Sequence, residues 1–275
     1  MSSTEFDRLS DFIIEHCGIK MPPAKKIMLE SRLQKRLRSL GMASFKEYCE
    51  FLFDSPDGDR ELVHMIDAVT TNKTDFFREP VHFQFLMETA LPEFLSESAV
   101  SGRKKFIVWS AGCSTGEEPY TLAMVLNEFA LQHPDFHYSI MATDISTRVL
   151  EKARTGIYDQ HLVEDIPASY RQKYFLRSKD KAKKLVRVVP ELRSRIAFQR
   201  VNLMDEHLVV PEKVDAVFCR NVIIYFERAT QYQLLSRLCR CVKTGGFLFL
   251  GHSETVHGFD LPLVRIASTI YRVTP

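Results

Sequence analysis

The stretch Val108-Trp-Ser-Ala-Gly-Cys-Ser-Thr-Gly-Glu-Glu-Pro-Tyr-Thr-Leu-Ala123 decides how this chain is read. A β-rich run, Phe106-Ile-Val-Trp109, leads into a loop with Gly112 and Gly116, and a helical pattern begins directly behind it. Strand, glycine loop and helix in that order bring flexible backbone up to a nucleotide-like ligand at the carboxyl end of a strand. The loop has no closing Lys, so it is not a phosphate-gripping P-loop. Nor does it spell G-x-G-x-x-G, the dinucleotide fingerprint. It carries Glu117 and Glu118 where phosphate binders want positive charge. An acidic loop suits a ligand with hydroxyls, an ammonium group or a sulfonium cation.

Outward from this loop the pattern alternates. Strands are expected at 106–110, 138–143, 196–201, 214–219 and 246–251, with helices at about 117–131, 146–154 and 228–242 between them. Such alternation implies a parallel sheet covered on both faces. Residues 158–195 break the rhythm: Tyr174-Phe-Leu176 and Leu185-Val-Arg-Val-Val189 flank a polar connector, as in an inserted hairpin. The run Ser268–Val273 reads as a further strand at the end of the sheet. The first 70 residues read as helices only. Phe6, Leu9, Ile13 and Cys17 form one stripe closed by Gly18, and Leu29, Leu33, Leu37 and Leu40 a second closed by Gly41. Ser44 is a candidate cap for a third helix through Phe53, and a fourth is expected from about Arg60 to Ala68.

Polar residues follow three successive strands. Asp144 ends Ile140-Met-Ala-Thr143, where a carboxylate accepts hydrogen bonds from both hydroxyls of a ribose; capping the next helix is the plainer role. Asn202-Leu203 follow Ala197–Val201, placed to bond an adenine edge and to pack on its ring; an isolated Asn is more often a turn residue. Arg220-Asn221 follow Ala216–Cys219. Their convergence on one crevice is the signal, and S-adenosylmethionine carries the hydroxyls, ammonium and sulfonium that the acidic loop asks for. Ahead of the sheet, Thr70–Arg78 reads either as an interdomain linker with two core aromatics or as a flap. In the flap reading Phe76 and Phe77 anchor it while Asn72, Thr74 and Arg78 face a polar ligand.

The composition excludes several classes. The chain has 275 residues, 45% hydrophobic and 26% charged, enough for one or two well-packed domains. A net charge of +2 is too small to argue for nucleic acid. No apolar run approaches the ~18 residues of a membrane span, and the first residues lack the basic and apolar regions of a signal peptide. Six Cys form no C-x-x-C pair and no zinc-spaced cluster, so no metal is expected and a reduced cytoplasm is the simplest compartment. No large apolar stripe is left unassigned, so a monomer is expected. Helix two is basic: Lys25, Arg32, Lys35 and Arg36 share a face beside the leucine stripe, and Glu30 is the one acid between Lys20 and Arg38. A charge run is usually a solvated face; with so few counter-charges nearby this one reads as a docking surface for an acidic partner. The aromatic interleaving of single-strand binders is missing.

At these residues the chain resembles the chemotaxis protein methyltransferase (CheR) family. The matching pieces are Thr71-Asn-Lys-Thr-Asp-Phe-Phe-Arg-Glu79, Ser110–Pro119, Ala142-Thr-Asp-Ile145, Val201-Asn-Leu203, Phe218-Cys-Arg-Asn-Val-Ile-Ile-Tyr-Phe226 and Gly251-His-Ser-Glu254, in the family's order and over nearly the whole chain. The resemblance implies an α/β class I methyltransferase fold, Rossmann-like with a mostly parallel sheet, an N-terminal helical domain and a small inserted antiparallel β-subdomain. The implied boundaries are a receptor-docking domain at 1–70, a linker and cofactor flap at 71–85, and a methyltransferase domain at 86–275 with its insertion at about 158–195. The implied reaction is methyl transfer from S-adenosylmethionine to glutamate side chains in the cytoplasmic helical domain of a chemoreceptor. The family's cofactor contacts fall on Asn72, Thr74, Arg78, Glu117, Asp144, Asn202, Leu203, Arg220 and Asn221, with Gly112 in the loop. In some members the β-subdomain docks a peptide at the receptor's C-terminus; here the connector is Lys-rich and has no Gly between Arg177 and Leu185, a departure from that pattern.

The chemistry is consistent with this. A glutamate with a pKa near ~4.3 is already a nucleophile at neutral pH, so no catalytic triad is needed. Alignment and a dry site do the work. Tyr225 and Arg78 are the candidates nearest the transfer; Tyr225 also fits a core aromatic. Arg78 bound to the methionine carboxylate avoids blunting the nucleophile, and Glu117 suits the ammonium group. His252 reads as structural. The rival readings are a methyltransferase for another protein carboxylate or a small molecule, a regulatory module that senses S-adenosylmethionine, and a nicotinamide oxidoreductase.

Overall fold

The computed structural model describes residues 1–208 and 210–275, with Lys181 described by its backbone alone. Its centre is strand β1 (Lys105–Ala111), whose residues from Phe106 onward are all buried. A strand buried on both faces needs helices on both faces. Helix α7 (Glu117–Gln132) returns the chain to β2 (His137–Asp144), which lies parallel to β1. Helix α8 (Thr147–Thr155) is capped by Ser146, whose hydroxyl accepts from Val149 N.

The insertion follows. Strand β3 (Ile157–Asp159), helix α9 (Ala168–Tyr174), strands β4 (Phe175–Arg177) and β5 (Leu185–Val188) and the short helix α10 (Pro190–Arg193) form it. The expected hairpin of β4 and β5 is present and antiparallel. It is extended to three strands in the order β3-β5-β4, because Ile157–Asp159 pairs with Leu185–Arg187. Strand β6 (Ile196–Arg200) rejoins the main sheet beside β2.

Strand β7 (Val214–Cys219) pairs with the opposite edge of β1. Helix α11 (Arg228–Cys241) leads to β8 (Val242–Leu250), and β9 (Leu263–Ala267) and β10 (Ile270–Val273) complete the sheet. The order is β6-β2-β1-β7-β8-β10-β9, parallel except where β10 runs antiparallel to both neighbours. The terminal run is therefore not the sheet's edge; the last hairpin folds back so that β9 takes that place. The sheet sorts its side chains with period two. Phe106, Val108, Phe218, Phe247 and Phe249 enter one core, and Ile107, Trp109, Leu248 and Leu250 the other, beneath α11.

The N-terminal helices are α1 (Ser3–Cys17), α2 (Lys26–Leu40), α3 (Phe45–Asp54) and α4 (Gly58–Val69). Ser2 and Glu5 form a reciprocal capping box on α1, Gly18 closes it in the left-handed region, and Ser44 caps α3. Both expected stripes are inside, except that Leu40 is only partly buried. Helix α5 (Val81–Phe85) passes through a π-turn at Leu86–Ala90 into α6 (Leu91–Ser101), which packs on the Phe106 face. The helical unit is bolted to the sheet at two places. Lys20 N donates to Tyr225 O (2.7 Å) beside an Ile19–Phe226 bridge. On the other side Asp67 accepts from Thr147 Oγ1 (2.8 Å), and Arg148 donates to Asp67 O (2.8 Å). These two seams border the crevice above the sheet.

Candidate functional site: a cavity over the strand ends

The chain reverses its winding between β1 and β7, and open sheets bind ligands at such a switch point. A cavity of about 370 Å³ lies there, closed on the far side by α2 and by the segment Val69–Arg78. Its floor is the β1–α7 loop. Gly112 stands at φ 83°, and a Cβ on it would come within 2.5 Å of Val222 Cγ2, so both the turn and the close approach require glycine. Gly112 N and Cys113 N donate to Thr143 O, which fixes the loop on the end of β2. Ser114 Oγ donates to Asn72 O (3.0 Å) and ties the loop to the flap.

Asp144 faces the cavity from the end of β2. It takes one backbone N–H on each oxygen, from Ser114 and Ser146, both at 2.9 Å. Each oxygen keeps a further lone pair for a ligand hydroxyl. Burial pushes its pKa up, against the pull of those backbone donors.

The two loop carboxylates separate. Glu117 is 3% exposed, takes the Thr115 hydroxyl (2.6 Å) and lies off the cavity wall. Glu118 is on the wall, held by Ser110 Oγ (2.7 Å) and Arg220 Nη1 (3.1 Å), with its pKa raised by burial. Consecutive helical positions lie 100° apart, and of the two it is Glu118 that reaches the cavity wall.

Arg220 is buried, and its other terminal nitrogen donates to Glu79 Oε2 (3.0 Å) and to Arg78 O. It lines the cavity as an internal ion-pair centre rather than an open cation. Asn221 lines it too, in the left-handed region at φ 58°. That backbone is held by Glu254, which gathers the N–H groups of Asn221, Val222, Ile223 and Gly251 at 2.6–2.9 Å. Glu254 shapes the cavity wall through that backbone, and the reading of strand ends passed over it; its signal was the Gly251–Glu254 piece.

On the third strand end, Asn202 donates to His16 O (2.6 Å) and accepts from Met204 N (3.0 Å), so its amide orders the turn and the interdomain seam. Leu203 packs on the wall.

The segment before the sheet has the geometry of a flap. Phe76 packs edge-on to Tyr158 and Phe175, and Phe77 to Phe83 and Tyr170. Asn72, Thr74 and Arg78 line the cavity. Arg78 donates to Lys73 O (3.0 Å) and sits between Phe77 and Glu79, both with positive φ. Non-glycine residues in that region cost about 1–3 kcal/mol each, a conformation that persists only where the surroundings enforce it. Tyr225 lines the mouth, in a single turn Ile223–Tyr225, and its hydroxyl makes no hydrogen bond among the described residues.

The basic face of α2 is partly consumed. Arg36 makes a paired contact with buried Glu61 (2.8 and 2.6 Å), which also takes the Tyr48 hydroxyl (3.0 Å). Arg32 caps α4 through Val69 O, Thr70 O and Thr71 Oγ1. Lys25 donates to Lys20 O (2.7 Å) at the cavity wall, its pKa lowered by burial and by Arg32 and Lys20. Lys35 alone of the four stands fully exposed. One counter-charge, Glu61, comes from α4, outside the stretch in which acids were counted, and Arg32 and Lys25 are satisfied by neutral oxygens.

Comparison with known proteins agrees with this anatomy. Residues 4–70 match the CheR methyltransferase all-alpha domain, and residues 72–271 match the CheR methyltransferase SAM-binding domain. A chemotaxis protein methyltransferase of Borreliella burgdorferi is 38% identical over 94% of this chain and 90% of its own. That of Escherichia coli is 38% identical over 100% and 92%, and chemotaxis protein methyltransferase 2 of Pseudomonas aeruginosa 37% over 97% and 92%. A cavity over the strand ends faced by Asp144 and Glu118, the segment Val69–Arg78 along its wall and matches that span both domains lead to one conclusion: the chain belongs to the CheR family of S-adenosylmethionine-dependent chemotaxis methyltransferases.

Proposed function

We propose that this enzyme transfers the methyl group of S-adenosylmethionine to glutamate side-chain carboxylates in the cytoplasmic helical domain of a methyl-accepting chemoreceptor. The products are glutamyl methyl esters and S-adenosylhomocysteine, and the output is adaptation in chemotaxis-like signalling. What supports this reading is the contrast within one cavity: acid at the strand ends, from Glu118 and Asp144, and base with an aromatic on the side of α2, from Lys25, Arg32 and Tyr225.

Asp144 would hold the ribose hydroxyls and Leu203 the adenine face. Arg78 would hold the methionine carboxylate. The ammonium belongs to Glu118, since Glu117 turns away from the cavity. Bound there, S-adenosylmethionine supplies an electrophilic methyl group on a sulfonium.

The chain's own residues align the nucleophile and keep it dry. Met21, Met28, Val69, Ile145, Val222 and Ile224 give the cavity apolar walls. Charge is annihilated in the step, because a carboxylate and a sulfonium become an ester and a thioether, so water at the reacting atoms would raise the barrier. Tyr225 offers a single free hydroxyl to orient the incoming carboxylate without burying an ion pair on it. No general base is required, and His252 lies off the cavity wall.

Receptor-containing membranes incubated with methyl-labelled S-adenosylmethionine test the reading. Label on receptor protein that is released as methanol by mild base is expected. Base-stable label, or label confined to small molecules, would overturn it.

A further inference from the structure

Three side chains outside the methyl-transfer cavity come together where the flap ends. Glu79 follows Arg78 at the end of the flap, His82 lies in the first turn of helix α5, and His252 lies just past β8. Their ligand-type atoms all fall within 4.8 Å of one another. His82 Nδ1 is 3.6 Å from Glu79 Oε2, and His252 Nε2 is 3.9 Å from the same oxygen.

The hydrogen bonds around His82 fix its tautomer. Thr269 donates its hydroxyl proton to Ser268 O (2.7 Å), so the Thr269 oxygen accepts from His82 Nε2 (2.9 Å). The proton of a neutral imidazole is then on Nε2, and Nδ1 carries a bare lone pair. That lone pair points toward a carboxylate oxygen, and Nδ1 has no hydrogen-bond partner among the described residues although His82 is 0% exposed. Glu79 Oε2 already accepts from Arg220 Nη2 (3.0 Å), so the atom left without a partner in this buried place is His82 Nδ1.

We infer that Glu79, His82 and His252 are the ligand set for one divalent transition-metal ion of the zinc class. Bonds of about 2.0–2.2 Å to nitrogen and oxygen place neighbouring ligands roughly 3.3–3.6 Å apart around a tetrahedral ion, so the two Glu79 contacts, at 3.6 and 3.9 Å, need contractions of at most a few tenths of an ångström, while the exposed His252 ring swings in toward His82. Two imidazoles and one carboxylate are a ligand set that zinc accepts, with water in the fourth position. The outer contacts of such a site are also in place. The second nitrogen of His82 is bonded to Thr269, and Glu79 is held by Arg220 Nη2 on one oxygen and His252 N (3.2 Å) on the other. Arg220 does not forbid a cation, because Glu79 and Glu118 set two negative charges against it. His252, with 52% of its side chain exposed, provides the way in. The ion takes no part in methyl transfer. It clamps the end of the flap to α5 and to the segment after β8.

The test uses the full-length chain, freed of metal with a chelator and titrated with Co²⁺, then with Zn²⁺ against a chromophoric chelator. The variants are His252→Ala, whose exposed side chain can be removed without disturbing the core, and His82→Gln. One ion per chain is expected, with visible cobalt bands of nitrogen and oxygen ligation and no thiolate charge transfer, all six cysteines being buried. Affinity should fall at least roughly tenfold in both variants. Zinc should raise the melting temperature of the wild type and not that of His252→Ala. Equal binding by wild type and His252→Ala, or no cobalt bands at one equivalent, overturns the proposal. Neither readout uses methyl transfer, so the outcome is independent of the receptor reading.

Discussion

At the scale of single residues, the cavity turns on carboxylates in unlike surroundings. Asp144→Ala removes the acceptor for two backbone N–H groups and for the ribose. Charge-assisted hydrogen bonds contribute about 1.5–3 kcal/mol each, so affinity for S-adenosylhomocysteine should fall at least ~10²-fold by calorimetry. Glu118→Gln should weaken the same binding far more than Glu117→Gln; an equal or reversed effect would return the ammonium to Glu117. Asp144 was legible because a polar residue at a strand end has a defined place in this architecture. The choice between Glu117 and Glu118 was not, because the phase of α7 is set by Gly116 at φ 99°, which no spacing reveals. Asn202 reads as a base contact; it lines the cavity, and its amide, which also ties His16 O and Met204 N, keeps one N–H and one lone pair for a ligand.

The same carboxylates give two pH dependences of opposite sign. Asp144 and Glu118 have pKa values raised mainly by burial. A carboxyl group raised on folding binds its proton more tightly in the native state, so it adds stability at acid pH and loses it as pH rises through the folded value. Cofactor binding instead needs both groups ionised. Affinity for S-adenosylhomocysteine should therefore drop on acidification at a pH above the ordinary carboxylate range, without loss of apoprotein stability from these two groups. Calorimetry and thermal melts over the same pH series check this. Asp144→Asn should flatten the binding profile; an unchanged profile contradicts the assignment.

At the scale of elements, α2 divides into a structural and an exposed part. Arg36→Ala leaves Glu61 buried with Tyr48 as its remaining side-chain donor, and should lower stability by about 1–3 kcal/mol, given that Arg36 is partly solvated. Denaturant unfolding measures it. Lys35→Glu should leave stability and cofactor affinity unchanged while lowering receptor methylation; if methylation is untouched, the exposed face of α2 is only solvated. The main strands were readable because their apolar runs are buried on both faces. β3 and β9 were not: each is short and largely exposed, and each is ordered by its partner rather than by its own pattern, β3 by the distant β5 and β9 by the adjoining β10. The flap was equally ambiguous, since Phe76 and Phe77 would be buried whether it was a linker or a lid.

At the scale of the whole molecule, charge is unevenly spread. Residues 151–200 hold thirteen Lys and Arg against six Asp and Glu, whereas the rest of the chain holds 24 against 29. The modest total of +2 hides this asymmetry. If the substrate is the proposed glutamate-bearing receptor segment, a strongly basic β-subdomain should steer it. Receptor methylation at limiting receptor should therefore fall steeply between low and moderate salt, while binding of S-adenosylhomocysteine, a buried contact, stays nearly flat. A salt-independent methylation rate would remove electrostatic docking from the account. The domain order was legible from the chain as a whole, because six short pieces in a fixed sequence are far more specific than any one of them. How the helical unit seats on the sheet was not, since its bolts join residues as far apart as Lys20 and Tyr225 or Asp67 and Arg148.

The most direct measurement is a crystal structure of the chain with S-adenosylhomocysteine. The ribose should lie on Asp144 and the ammonium by Glu118, with the sulfur turned toward Tyr225 and the open mouth. A ligand bound elsewhere, or one whose sulfur faces the sheet with no path for a carboxylate, would contradict the account.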